Sequence, residues 1–231
     1  WLADIWKQGG RRLRWVMAPP LLSLTNPGLV REEMEFCKEH GACGIFMRGF
    51  ECERHLSHRY FFPLYEMAQE LGLPITLHAG INSAPYHDMT WPNSGLLTFK
   101  FPVIGAFHCL LEDDIPNRFP GVNWAFVETS AQWLPYVLGE ARINIARKGR
   151  KPADDLLGKN NMYVTTQQTD NLHGLIDEVG DDNLIIGTDY GHKDVATEVM
   201  ALKRLASDGG IHPASAKKIM EANPTRLYGL A

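Results

Sequence analysis

The chain has 231 residues, is 45% hydrophobic and 22% charged, and carries a formal net charge of −4. That balance suits a well-packed globular domain. It supplies neither the excess positive charge nor the basic stripe of a nucleic-acid binder, so no nucleic-acid partner is expected. No apolar run approaches the roughly 18–20 residues that span a bilayer, so no membrane partner is expected either.

The opening segment, with Trp1, Leu2, Ile5 and Trp6, has the spacing of a helix already under way, and it lacks an initiating Met. Natural sequence upstream of Trp1 is therefore expected. Arg14–Ala18 is a short apolar run closed by Pro19 and Pro20, and reads as a strand. Asn26 and Pro27 then supply an N-cap and a first-turn proline. Val30, Met34 and Cys37 fall on one face of the helix that follows, which Gly41 stops. The second run, Cys43–Met47, leads to a helix from about Phe61 with Leu64, Ala68 and Leu71 in register, closed by Gly72. The third is Pro74–Leu77. A long loop containing Pro85, Pro92 and Gly95 comes next, then a helix through Val103, Phe107 and Leu110. The fourth, Val122–Val127, precedes a helix through Leu134, Leu138, Ala141 and Ile145. The fifth, Met162–Val164, precedes a helix that Asp170 caps and Gly180 ends, with Leu172, Leu175, Ile176 and Val179 on one face. The sixth, Leu184–Ile186, precedes a helix through Val195, Val199, Leu202 and Leu205, and a last helix includes Ile219.

Six strands, each followed by a helix, predict an α/β fold with a parallel sheet and right-handed crossovers. The sheet is either open and doubly wound or part of an eight-stranded barrel. The absence of G-x-G-x-x-G and of a P-loop counts against a nucleotide-binding open sheet. The four cysteines, Cys37, Cys43, Cys52 and Cys109, form no C-x-x-C pair. Together with the absence of a secretory signal, they read as reduced thiols in a cytoplasmic protein.

Functional groups in parallel α/β folds collect just beyond the carboxyl ends of the strands. The second run ends in Arg48, the third in His78, the fourth in Glu128, the fifth in Thr165 and Thr166, and the sixth in Asp189. An imidazole and two carboxylates at such positions are ligands suited to a divalent metal. Each residue also has a plainer reading. His78 can be a core or capping histidine, Asp189 an N-cap, and Arg48 the partner of Glu51 or Glu53 rather than a clamp for a substrate carboxylate. Tyr86, His87 and Trp91, in the long loop after His78, can form a substrate-pocket wall or simply pack the loop. Trp133 reads as structural. His55, His58, His108, His173 and His212 read as surface or capping residues, and His192 as a group that orients a ligand or assists Asp189.

Taken in order, several motifs resemble the amidohydrolase-related family, which includes aminocarboxymuconate-semialdehyde decarboxylase and the resorcylate and carboxyvanillate decarboxylases. These are Leu77-His-Ala-Gly80, Phe119-Pro120 with Phe126-Val-Glu128 and Trp133-Leu-Pro135, Gly187-Thr-Asp-Tyr190 with His192, and Asn223-Pro-Thr-Arg-Leu-Tyr-Gly229. The resemblance implies a (β/α)8 TIM barrel, one domain over 1–231, and one divalent ion, Zn or Mn. It implies that His78 and Asp189 are metal ligands from strands five and eight, with Asp189 also orienting or deprotonating water. It makes the first run strand three, so strands one and two, with the H-x-H or E-x-H ligands of relatives, are expected upstream of Trp1. Glu128 stands where many relatives carry His, and can do acid–base work if burial raises its pKa towards neutrality or serve equally as a ligand. The implied activity is non-oxidative decarboxylation of a small, aromatic-like carboxylic acid, with hydrolysis of an ester, lactone or amide as the alternative and a non-catalytic barrel as a third reading. A small-molecule substrate and a homodimer are the partners implied.

Overall fold

Alternation within each strand organises the molecule. In a strand, successive side chains point to opposite faces. Trp124 and Phe126 belong to one buried cluster and Ala125 to another. Met162 and Val164 separate from Tyr163 in the same way, and Leu184 from Ile185. Both sets are buried, which is why these strands read as continuous apolar runs rather than alternating ones.

The computed structural model describes residues 1–90, 95–167, 169–192, 200–207 and 210–230. Trp91, Val195 and Val199 lie outside the described residues. Eight strands occur among those described: β1 (Trp15–Met17), β2 (Ala42–Arg48), β3 (Phe50–Glu51), β4 (Arg54–His55), β5 (Ile75–His78), β6 (Trp124–Val127), β7 (Met162–Thr166) and β8 (Leu184–Ile186). Six form one parallel sheet in the order β1-β2-β5-β6-β7-β8, and β3 and β4 form a two-stranded antiparallel hairpin. The order of the large sheet never reverses. A doubly wound sheet reverses at a switch point, so the monotonic winding decides for barrel-type closure.

The helices are α1 (Leu2–Gln8), α2 (Pro27–Glu39), α3 (Phe62–Leu71), α4 (Ala84–Thr90), α5 (Phe101–Glu112), α6 (Ile115–Arg118), α7 (Leu134–Arg147), α8 (Leu156–Lys159), α9 (Leu172–Val179), α10 (Ala201–Ser207), α11 (Pro213–Lys217) and α12 (Asn223–Tyr228). None is long and apolar enough to cross a membrane. The larger cluster joins Val30 and Met34 of α2, Leu64 and Tyr65 of α3, Phe107 of α5 and Leu134 of α7 to the outer strand faces. Its aromatic centre is tight: the Tyr65 and Trp124 rings meet edge to face at 5.0 Å, and Phe107 meets Phe126 at 4.9 Å. Each fully buried side chain of this size contributes about 1.5–3 kcal/mol of apolar burial. The Tyr65 hydroxyl donates to the Leu56 carbonyl at 2.6 Å, so the ring is buried without leaving its polar end unsatisfied.

The opposite sheet face packs Ala125, Tyr163 and Ile185 against Leu227 of α12. The Asn223-Pro-Thr-Arg-Leu-Tyr motif acts here. The Asn223 amide donates to the carbonyls of Asp181 and Leu184 at 2.7 Å, and Arg226 Nε donates to the Tyr163 hydroxyl at 2.9 Å. The motif therefore pins the last helix to the strands that carry the site.

Several local expectations are corrected. The loop after β5 contains α4 and a π-helical turn, Leu96–Lys100, running directly into α5. The β3–β4 hairpin has strands of two residues, too short for any periodicity to register. Asp170 is not the cap of α9. Asn171 is, its side chain accepting from the Gly174 N–H at 3.2 Å. His58 and His212 do cap, accepting from the N–H groups of Tyr60 and Ala214.

Candidate metal and active site

His78 is the last residue of β5 and lies beside Val127 of β6 and Arg48 of β2 in register. Glu128 follows β6 at once, and Asp189 follows β8 by three residues. All three line one cavity of about 240 Å³ at the carboxyl ends of the strands. Thr165, Thr166 and Gln167 form another side of it, and Pro224 and Tyr228 of α12 contribute too.

The His78 ring is oriented by its backbone surroundings. Nδ1 lies 2.9 Å from the Ala79 carbonyl, which fixes it as the protonated nitrogen. Nε2 then faces Glu128 Oε2 at 3.0 Å. Asp189 Oδ1 lies 2.9 Å from His192 Nδ1. One ligand atom each from Glu128, Asp189 and His192 fall within 4.8 Å of one another. The carboxylates are shielded, with Glu128 at 11% and Asp189 at 19% exposure, whereas His192 is 58% exposed. Two screened carboxylates this close favour a shared proton or a cation beside them. The donor set, imidazole nitrogen with carboxylate oxygen, fits manganese or zinc.

Backbone conformation supports the same centre. Glu128 has φ +64° and Asp189 φ +49°. A non-glycine residue in the left-handed region costs about 1–2 kcal/mol, and such residues concentrate where a side chain must be aimed. Asp170 holds part of this geometry. Its carboxylate accepts from the Ser130 hydroxyl, and from the Ala131 and Gln167 N–H groups at 2.9 Å each, stitching the loop after β6 to the loop after β7. Ser130 is itself left-handed, with φ +64°. Asp170→Ala strands these donors and is expected to cost about 1–3 kcal/mol, read as a lower urea midpoint with an unchanged slope.

Arg48 sits beside the cavity rather than in its wall. It lines an adjoining depression of about 740 Å³ with Phe46, Glu51 and Asn82. Its guanidinium donates to the Ile81 carbonyl at 2.8 Å, while its backbone N–H donates to Glu51 Oε1 at 2.9 Å. Glu51 thus engages the main chain of Arg48, and no side-chain ion pair to Glu51 or Glu53 forms among the described residues. Burial pushes the Glu51 carboxyl above its usual range, opposed by the Asn82 amide and the Arg48 N–H. Tyr86 and His87 do not line the cavity. Tyr86 donates its hydroxyl to the Leu97 carbonyl at 3.0 Å, bracing the π-helical turn, and His87 faces Asp88 on α4. Trp133 is structural, its ring packing on Phe107 and its indole N–H donating to the Ser130 carbonyl at 2.7 Å.

Sequence reasoning did not find Gln167, Asp170 or Tyr228 at or around the site, nor Lys100, whose ammonium donates to Gln167 Oε1 at 3.0 Å. Gln167 was open to the strand-end argument, as the first residue beyond β7. The other three are brought in by loops and by the last helix, where strand ends give no signal.

The family model described as Amidohydrolase matches residues 1–230. No curated protein matches the sequence. Among solved structures, the chain is similar to an amidohydrolase from Mycobacterium avium subsp. paratuberculosis, at 19% identity and TM-score 0.74, over 94% of this chain and 57% of that one. It is similar to the 5-carboxyvanillate decarboxylase of Sphingomonas paucimobilis, at 15% identity and TM-score 0.77, over 100% and 70%. It is also similar to a dihydroxybenzoic acid decarboxylase from Polaromonas, solved with manganese and the inhibitor 2-nitroresorcinol, at 23% identity and TM-score 0.75, over 99% and 73%. The chain thus spans little more than half of the first of these proteins.

Proposed function

Since this chain belongs to the amidohydrolase family, we propose that it is a metal-dependent enzyme that removes a carboxyl group, without oxidation, from a small aromatic-like acid. The observation that carries the reading is the meeting of His78, Glu128 and Asp189, from the ends of three different strands, around one cavity. The decarboxylases among its structural relatives support the choice of reaction.

Asp189 and the partly exposed His192 would hold a divalent ion, manganese or zinc, joined by His78 Nε2 from the Glu128 side; the ligand atoms that already lie within 4.8 Å of one another are those of Glu128, Asp189 and His192, without His78. Such an ion, when bound, supplies a Lewis acid for a substrate oxygen. Asp189 keeps the His192 ring in place through Nδ1. Glu128, screened from water, is the acid. It delivers its proton to the ring carbon that bears the carboxylate, and the carbon–carbon bond then breaks, its electron pair restoring the ring as carbon dioxide leaves. Arg48 lies one strand over from His78 and attracts an anionic substrate group into the adjoining depression. Tyr86 serves the site indirectly, through the turn it braces.

The presence of Glu rather than His at 128 favours one competing reaction, hydrolysis of an ester, lactone or amide, in which Glu128 accepts a proton from water. The two part on their products. The protein, loaded with Mn²⁺ or Zn²⁺, is offered dihydroxybenzoates, 5-carboxyvanillate and a panel of aryl esters and lactones. One equivalent of carbon dioxide per acid consumed, lost on chelation and regained with Mn²⁺, is the expected result. Acid release from the esters without carbon dioxide would replace the lyase reading by the hydrolase one. Failure to retain any metal ion would remove both.

A further inference from the structure

We propose that Lys100 is a specificity-determining residue, selecting substrates with a second acidic group remote from the one at the metal centre. This rests on the site reading above.

Lys100 ends the π-helical turn Leu96–Lys100. A π turn carries one more residue per hydrogen-bonded loop than an α turn, so it shifts the side chain at its end from where a regular helix would place it. The turn is fixed from two sides. The Gly80 N–H, two residues past His78, donates to the Phe99 carbonyl at 2.7 Å, and the Tyr86 hydroxyl holds the Leu97 carbonyl. From this anchored position Lys100 Nζ reaches from the segment after β5 to the segment after β7, where it donates to Gln167 Oε1 at 3.0 Å. Gln167 lines the same cavity as His78, Glu128 and Asp189.

Lys100 is half-buried, and among the described residues its ammonium has that one hydrogen-bond partner, an uncharged amide oxygen, with no carboxylate within ion-pair distance. An ammonium offers three donors, so two remain. A half-buried ammonium with donors to spare gains from an anion that arrives to meet them. Lys100 does not itself line that cavity but is tied to Gln167, which does, and to no carboxylate, which leaves its charge for a group entering with the substrate. Arg48 repeats the pattern on the other flank of β5. Its guanidinium is bonded to a carbonyl and to no carboxylate among the described residues. The Arg48 stem and the Phe99 ring both pack on Gly80, 3.9 and 3.8 Å from where a Cβ there would stand. The two cations therefore stand at the ends of β2 and β7, on either side of β5 in the sheet order.

The test measures affinity rather than turnover. The Mn²⁺-loaded protein is titrated calorimetrically with benzoate and with the 1,3- and 1,4-benzenedicarboxylates. At least one diacid is expected to bind about 10-fold or more tightly than benzoate, the size of a charge-assisted contact. Lys100→Met should bring that diacid to within about twofold of benzoate while leaving benzoate itself unchanged, and Lys100→Arg should keep the preference. A merely structural tie to Gln167 would weaken both ligands together. No diacid preference in the wild type, or one that survives in Lys100→Met, overturns the inference. Titration with Mn²⁺ alone separates the two levels. Normal Mn²⁺ binding with a lost preference isolates Lys100, whereas a wild-type protein that binds no Mn²⁺ removes the site reading and this inference with it.

Discussion

Asp189→Asn is expected to leave the chain folded, to weaken Mn²⁺ binding by at least about 100-fold, and to lower turnover by about 10³-fold. Both figures are of the order seen when a metal-site partner or an acid–base group is lost. Asparagine has the shape of aspartate and tolerates the left-handed backbone at this position, φ +49°. What it lacks is the second anionic oxygen. Mn²⁺ should raise the melting temperature of the wild type and leave that of Asp189→Asn nearly unchanged. If Asp189→Asn bound Mn²⁺ as the wild type does, Asp189 would not be a ligand.

How far the sequence led, and where it stopped, follows from what kind of interaction places each residue. β5, β6 and β8 were readable because their apolar runs end abruptly in a single polar side chain, and a parallel barrel presents such ends to one mouth. His78, Glu128 and Asp189 were therefore visible before their meeting was. Strand order was not. Only the winding without reversal decided between an open sheet and a barrel. The local rule, a short hydrogen-bond-accepting side chain ahead of an apolar helix, is satisfied by Asp170 and equally by Asn171 one step on. Which of them caps depends on whether Ser130 and Ala131, some forty residues away, claim the other. Loop length alone leaves Tyr86 either a pocket wall or loop packing, and its hydroxyl is occupied by Leu97. Lys100 gave no signal because a π turn has no compositional signature.

Gly49 shows the same limit in the backbone, and substituting it is expected to be the most destabilising single-methyl change near the site. Nothing in Arg48-Gly49-Phe50 distinguishes this glycine from a loop residue. In the structure, a Cβ at 49 would stand 2.2 Å from the carbonyl carbon and oxygen of Pro102 and 2.6 Å from the Val103 nitrogen. Those atoms are main chain, so no rotamer change relieves the overlap. Either the end of β2 or the start of α5 must move. α5 buries Val103, Phe107 and Leu110 completely, so displacing it opens the core it fills. Overpacking of this kind costs typically 1–3 kcal/mol and sometimes more, and Gly49→Ala is expected at about 3 kcal/mol or above, read from urea denaturation. Gly105→Ala is the control. It lies within α5, has nothing within 4 Å of its added methyl, and should stabilise the helix by up to about 1 kcal/mol. The shift forced by Gly49→Ala also travels to the site, since Arg48 precedes it and Lys100 sits two residues before Pro102. The variant should lose the diacid preference while Mn²⁺ binding falls less, because Asp189 and His192 stand beyond β8, away from the contact, although His78 pairs with Arg48 in register. A Gly49→Ala protein as stable as the wild type would mean that α5 does not abut this strand end, and that Arg48 and Lys100 are not held in one frame.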